Sequence, residues 1–191
     1  LYYYVKSKQQ REFYRLLDTF GYSQRFIMTK NVHFLNYTFN IPDGASFIGQ
    51  FKEIFVDEIY KFETKNTIPV IFDCGSNIGT SLLYFRENHP NAKIIGFEAD
   101  DTIATLSIEN LKKNNITDIT VISSAVWIDN KGIEFSTEGA DGGSIKGEHN
   151  LKKVPSIRLK DFLLMETSID FLKMDIEGAE YEVIQDCADA L

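Results

Sequence analysis

Cysteine is scarce in this 191-residue sequence, which contains only Cys74 and Cys187. The two residues are far apart and have apolar neighbours, so we predict two buried thiols and exclude a disulfide framework or a cysteine metal site. Small secreted domains depend on disulfides, whereas cytoplasmic proteins keep their thiols reduced. The cysteine content therefore favours a cytoplasmic protein.

Long apolar runs and an excess of basic residues are also missing. No run approaches the roughly 18 apolar residues of a membrane span, and the opening LYYYVKSKQQ lacks the apolar core of a secretory signal. The formal net charge is −8. Such an acidic surface repels phosphate backbones, which argues against a nucleic-acid partner. The remaining composition, with 43% hydrophobic residues, is typical of a globular protein.

The order of sequence patterns predicts an α/β domain at residues 66–191 behind an N-terminal extension at residues 1–65. The extension combines helical spacing around Phe13 and Leu16 with an apolar stripe from Phe47 to Ile59. Between them, an alternating stretch that ends in a Pro-Asp-Gly turn predicts a small hairpin or strand pair.

In the second part, strand, turn and helix repeat. A helix at 80–88 stops before Pro90, and a second helix starts with Asp100 or Asp101. A third strand, 119–128, is expected to bend, a hairpin-like stretch follows it, and the last helix is expected to begin at Gly178. Apolar strands that alternate with helices predict a mainly parallel sheet with helices on both faces.

The turn DCGSNIG, residues 73–79, follows the first strand of this repeat. Ligands of parallel sheets bind beyond the carboxyl ends of the strands. The dinucleotide fingerprint fails here because Asn77 and Thr80 occupy two of its glycine positions, and the phosphate loop with its lysine is absent. A carboxylate at Asp73 disfavours a phosphate and favours a cation, while the next helix N-terminus can accept a carboxylate. A zwitterionic amino-acid group fits this turn better than a pyrophosphate.

The second strand ends in Glu98, 25 residues after Asp73. An acid at this place can accept both hydroxyls of a ribose. A ribose joined to an amino-acid zwitterion describes S-adenosylmethionine. The residues thus predicted to bind the cofactor are Asp73, Gly75, Ser76, Asn77, Gly79 and Glu98.

The segments DCGSNIGTSLLYF, IIGFEAD, AVWIDNKGIEF and IDFLKMDIEGAEYEVI together resemble the FkbM family of S-adenosylmethionine-dependent methyltransferases. The resemblance begins near residue 32. It implies a Rossmann-like class I methyltransferase fold and methyl transfer to a hydroxyl oxygen of a sugar, glycan or secondary metabolite. The family's sheet has seven strands, whereas four core strands are recognisable before Leu191, so the C-terminal strands are expected to be missing.

The same resemblance adds residues to the predicted site. Ser124 and Ala125 match the adenine-proximal position, and Ala99 stands where the family commonly has proline. In LKMDIEGAE, Asp175 ends a strand and is the first candidate for a base or acceptor-orienting residue, because a hydroxyl acceptor must lose its proton. Glu177 and Lys173 are further catalytic candidates.

Several alternatives stay open for the residues of the second part. Lys173 could reach the crevice or serve as the counter-ion of a neighbouring carboxylate, and Glu177 could simply stabilise a helix N-terminus. Two acids without a third ligand do not predict a metal site. The glycine-rich stretch 139–150, with His149, could cover the acceptor site.

Two other functions remain open besides an O-methyltransferase. One is a cofactor-binding or scaffolding module without turnover, and the other is a nucleotide-sugar enzyme that holds NAD in the same crevice. The N-terminal extension is predicted to supply a lid or acceptor contacts.

Overall fold

The computed structural model describes residues 7–136 and 151–191, and the chain divides into two compact units with the boundary between Lys61 and Phe62. None of the described helices is long and apolar enough to cross a membrane. Each unit has its own helices and strands.

The first unit is a helix, a hairpin and a second helix. Helix α1 (Lys8–Phe20) begins with a capping box in which the Ser7 hydroxyl accepts from the backbone N–H of Gln10. Strands β1 (Thr29–Phe34) and β2 (Tyr37–Ile41) pair antiparallel, as predicted, and lead into helix α2 (Gly44–Phe51).

Helix α2 ends in a π-helical turn, Lys52–Val56, so the predicted apolar stripe is shorter than expected. Phe47, Phe51 and Phe55 pack around the buried ring of Phe34. Ile59, predicted to share the stripe, is 52% exposed because the helix stops before it.

The second unit contains the repeated strands and helices. Its elements in chain order are β3 (Val70–Cys74), α3 (Thr80–Asn88), β4 (Lys93–Glu98), α4 (Asp101–Lys113), β5 (Thr120–Ser123), β6 (Ala125–Trp127), β7 (Ile133–Ser136), β8 (Leu151–Val154), β9 (Ser156–Arg158), α5 (Leu159–Leu163), β10 (Phe171–Met174) and α6 (Glu180–Cys187).

Four strands form a wholly parallel sheet in the order β10-β3-β4-β5, which confirms the predicted α/β class. The chain moves outward from β3 through β4 to β5 and then returns to the other side of β3. The place between β3 and β10 is therefore the topological switch point, where ligands of such sheets bind.

Helices cover both faces of this sheet, as predicted. A Cβ at Gly96 of β4 would touch Leu82 of α3. The next residue, Phe97, points to the opposite face and joins a buried cluster with Leu159 of α5 and Val183 of α6. This cluster also holds Cys74 and Cys187, both free and buried, which confirms the two predicted buried thiols.

The predicted third strand, 119–128, is interrupted at Ser124. Residues 120–123 stay in the main sheet, whereas Ala125–Trp127 pair in parallel with Ser156–Arg158. The backbone N–H of Ala125 donates to the carbonyl of Pro155, which fixes the change of partner. Strands β7 and β8 pair antiparallel, in agreement with the expected hairpin.

The segment before β3 is tied to β10 by side chains. The Asp170 carboxylate accepts hydrogen bonds from the Thr64 hydroxyl, the Asn66 amide and the backbone N–H of Val70. The ring of Phe62 stacks on Phe171, with centroids 4.6 Å apart. These contacts fix the start of β3 against the start of β10.

Candidate functional site

The loop between β3 and α3 is built around two glycines with left-handed backbone. Gly75 has φ +84°, and a Cβ there would lie 1.9 Å from the carbonyl oxygen of Asp175. Gly79 has φ +92° and precedes the first residue of α3. A side chain at Gly75 would collide with backbone, so the loop depends on glycine for its close approach to the end of β10.

Ser76 and Asn77 lie between these glycines. The Ser76 side chain is buried, and within the described part of the chain its hydroxyl has no hydrogen-bond partner. Asn77 has φ +47°, a region that asparagine tolerates better than most residues, and its side-chain oxygen accepts from the N–H of Ile78. Asparagine can thus adopt the left-handed backbone that this position of the loop requires.

Glu98, at the end of β4, is joined to this loop. One carboxylate oxygen accepts from the backbone N–H of Asn77 and the other from the N–H of Asp100, both at 2.9 Å. Burial raises the pKa of Glu98, although these two hydrogen bonds oppose the shift. A carboxylate offers about four lone-pair positions, so each oxygen keeps capacity for one more donor.

Asp73 is the fully buried fourth residue of β3, opposite Lys173 in the strand register. Its Oδ2 accepts from the Ser81 hydroxyl, and its Oδ1 lies 3.0 Å from the Lys173 Nζ. The sequence predicted that Asp73 attracts a cation at the loop. The structure supplies that cation from the protein itself, because Lys173 reaches Asp73 across the switch point.

Lys173 itself is buried and engaged in the same loop. Its ammonium donates to the Gly75 carbonyl at 2.7 Å, and the Asp175 carboxylate lies 3.8 Å from it. Lys173 is thus placed as the counter-ion of Asp73, and its catalytic role stays a prediction. An ammonium used in this way is poorly placed to serve as a proton acceptor.

Asp175 and Glu177 follow β10, and both are exposed. The backbone N–H of Asp175 donates to the carbonyl of Cys74 at 3.0 Å, which places Asp175 directly against the loop. Helix α6 begins at Glu180, two residues later than predicted. Glu177 therefore lies three residues before the helix instead of at its N-terminus, and its φ is +55°.

Ser124 and Ala125, expected on the adenine side, lie at the break after β5, and Ala99 follows the end of β4. Ala125 forms a small buried cluster with Val154, and Ala99 and Ile133 pack against it. Ser124 is buried, and its hydroxyl donates to the carbonyl of Ser123. The structure thus brings Ala99 and Ala125 into one apolar cluster.

Two polar residues of this region were not predicted from the sequence. Ser81 lies beside Thr80 in the first turn of α3, and these two buried polar residues, in a helix whose other buried residues are leucines and aromatics, were the available signal. The Glu180 carboxylate accepts from the backbone N–H groups of Ile176 and Gly178, both at 2.9 Å, and holds the turn after Asp175. The spacing of Glu180 in LKMDIEGAE did not predict these two hydrogen bonds.

The residues present fit the predicted cofactor. Two left-handed glycines leave backbone space, the buried Ser76 hydroxyl lacks a partner, and Glu98 retains acceptor capacity beside them. Among the described residues, no group of three metal-ligating side chains comes together. The predicted lid, residues 139–150 with His149, lies outside the described residues.

Comparison with known proteins assigns the family. The model of the FkbM methyltransferase domain matches residues 73–191, which includes the loop, Glu98 and Asp175. The chain belongs to the FkbM methyltransferase family. This confirms the family, the methyltransferase class and the S-adenosylmethionine cofactor that the sequence led us to expect.

Two curated proteins that this chain resembles are methyltransferases by name. Methyltransferase sdnD of Sordaria araneosa is 30% identical, with an alignment that covers 74% of this chain and 68% of the relative. The 2-O-methyltransferase NoeI of Sinorhizobium fredii is 29% identical over 61% of this chain and 56% of its own length. The chain therefore spans about two thirds or less of these relatives.

Solved structures are more distant. The M. jannaschii TYW2 structure in complex with AdoMet is 15% identical, covers 54% of this chain and 45% of that chain, and has a TM-score of 0.38. A similarity of this size adds nothing to the functional argument.

Proposed function

We propose that this protein transfers a methyl group from S-adenosylmethionine to a hydroxyl oxygen of a sugar, glycan or other small molecule. The observation that carries the proposal is the link between Glu98 and the glycine loop. Two backbone N–H groups orient the Glu98 carboxylate at the carboxyl end of β4, next to the switch point, and leave it able to accept ribose hydroxyls.

The cofactor would be held by residues of three strand ends. Glu98 accepts the ribose hydroxyls, and the loop from Gly75 to Gly79 receives the amino-acid end, with Ser76 as an available polar side chain. Ala99, Ser124 and Ala125 line the adenine side.

Asp73 is buried, so its part in binding is to hold Lys173 and thereby the loop. When bound, the cofactor supplies a methyl group on a strongly electrophilic sulfonium.

Asp175 is the proposed catalytic residue. It is exposed at the end of β10 and packed by its backbone against the loop, so it can face both cofactor and acceptor. Its carboxylate would take the proton of the acceptor hydroxyl as the new carbon–oxygen bond forms. Alignment of the acceptor oxygen contributes much of the acceleration in such reactions. Lys173 is a positioning residue in this proposal, and Glu177 is a weaker second carboxylate.

The hydroxyl acceptor is supported by the name of one relative, the 2-O-methyltransferase NoeI. We further propose a cytoplasmic location, supported by the two free, buried cysteines. The division into an extension, 1–65, and a methyltransferase part, 66–191, is also part of the proposal.

The test separates binding from turnover. Calorimetry with S-adenosylhomocysteine and with NADH distinguishes the cofactor, and labelled S-adenosylmethionine with a panel of glycans and hydroxylated metabolites reports transfer. We expect Asp175→Asn to keep S-adenosylhomocysteine affinity within about twofold and to slow transfer by about 100-fold. Glu87→Gln, an exposed acid near the far end of α3, is the matched control. Binding of NADH, or an unchanged rate in Asp175→Asn, contradicts the proposal.

A further inference from the structure

The charges around Lys173 do not cancel. Lys173 and Asp73 form a buried pair with Nζ and Oδ1 3.0 Å apart, and their side chains are 5% and 0% exposed. A charge buried in this way requires a close partner, and here each ion supplies it for the other. The pair is therefore electrically neutral as a unit.

Asp175 is the third member of this group and adds one negative charge. Its Oδ2 is 3.8 Å from the Lys173 Nζ, too far for a hydrogen bond, and its side chain is 61% exposed. The ammonium instead donates to the Gly75 carbonyl at 2.7 Å. One ammonium and two carboxylates together carry one net negative charge, and Lys173 makes its closer contacts with Asp73 and the loop.

This charge stands directly beside the cofactor loop. The Asp175 N–H donates to the Cys74 carbonyl at 3.0 Å, and the Asp175 carbonyl occupies the space that a Cβ at Gly75 would need. The hydrogen bond and this close approach place the Asp175 backbone directly beside the loop. A cation bound at the loop lies within the range of its field.

We propose that Asp175 makes the site prefer the cationic methyl donor over the neutral product. This inference rests on the proposed function and goes beyond proton acceptance by the same residue. S-adenosylmethionine carries a positive sulfonium, whereas S-adenosylhomocysteine carries an uncharged thioether. Transfer of the methyl group removes the charge that the carboxylate attracts, so the product is held less tightly and exchanges for a new donor. Solvent screening of the exposed carboxylate limits the preference to about three- to tenfold.

Equilibrium binding tests this without knowledge of the acceptor. Calorimetry gives the Kd values of S-adenosylmethionine, S-adenosylhomocysteine and sinefungin, whose amine places a positive charge near the transfer position. For the unaltered 191-residue chain, we expect both cationic ligands to bind about three- to tenfold more tightly than S-adenosylhomocysteine at low salt. In Asp175→Asn this ratio should fall close to one through weaker binding of the cations. Glu87→Gln should keep the ratio of the unaltered chain.

The possible results separate the inference from the proposed function. If none of the three ligands binds, the proposed function fails and the inference fails with it. If they bind and Asp175→Asn leaves the ratio unchanged, only the inference is overturned. Salt provides a second measurement that needs no variant: a ratio that stays constant as the salt concentration rises from about 20 mM to about 500 mM contradicts an electrostatic preference.

Discussion

The backbone N–H of Asn77 donates to the Glu98 carboxylate at 2.9 Å and so connects the turn after β3 to the end of β4. The other Glu98 oxygen accepts from Asp100 at the start of α4. One carboxylate thus orders the loop that would receive the amino-acid end of the cofactor and the strand end that would receive its ribose. Substitutions at Glu98 therefore test both sides of the proposed cofactor site.

Glu98→Gln should weaken S-adenosylhomocysteine binding by about 10- to 100-fold. An amide has only one acceptor oxygen, so its NH₂ group would face one of the two backbone N–H donors. Calorimetry measures the loss, with Glu87→Gln as the control for removal of an exposed acid. Affinity within twofold of the unaltered chain would remove Glu98 from the proposed ribose site.

Cofactor affinity should decrease as the pH falls through the raised pKa of Glu98. Burial is the main cause of the raised pKa, and the ionised form is the one that accepts two ribose hydroxyls. The raised pKa also affects folding. Glu98 favours the folded state most at a pH below its pKa in the unfolded chain, and this stabilisation is lost as the pH rises through its pKa in the folded protein. Kd values from about pH 4 to pH 7 check the first effect. In Glu98→Gln this pH dependence should disappear; its persistence would assign it to another group.

Asn77→Val should destabilise the protein by about 1–2 kcal/mol, because a β-branched residue tolerates the left-handed backbone at this position poorly. Asn77→Gly is the matched control, since glycine adopts this backbone without strain, and its effect should stay within about 0.5 kcal/mol. Urea denaturation gives both free energies. Equal stability of the two variants would show that the loop does not require the left-handed conformation.

Lys173→Met should lower the free energy of unfolding by about 3–5 kcal/mol, because it leaves the buried Asp73 carboxylate without its cation. The double variant Asp73→Asn/Lys173→Met removes both charges and should regain most of this loss. Thermal and urea unfolding of the three proteins measure the coupling. If the double variant is as unstable as the sum of its two single variants, the two residues do not form an energetic pair.

Local signals explain why much of the second unit could be predicted. Helix α3 has the expected bounds, because the Gly79 hinge and Pro90 mark its ends in the sequence. Helix α4 starts where Asp100 caps it, as its acidic residues indicated. The residues that end β3, β4 and β10 came together as expected, since parallel strands end at one edge of a sheet.

Features that depend on distant partners were not predictable. The break at Ser124 requires Ser156–Arg158, about 30 residues later, as the new partner of Ala125–Trp127. The pairing of Asp73 with Lys173 depends on strands 100 residues apart, and periodicity cannot give their register. The early end of α2 in a π-helical turn likewise has no local signal as clear as a proline.

Expression of the methyltransferase part alone has to preserve two sets of contacts. These are the hydrogen bonds of Asp170 with Thr64 and Asn66, and the stacking of Phe62 on Phe171. A gene fragment that starts at the expected boundary, residue 66, would discard the Thr64 hydroxyl and the Phe62 ring while keeping the residues that need them. Trimming should therefore stop no later than Phe62, and a protease that cuts between residues 62 and 66 would loosen the sheet beside the switch point.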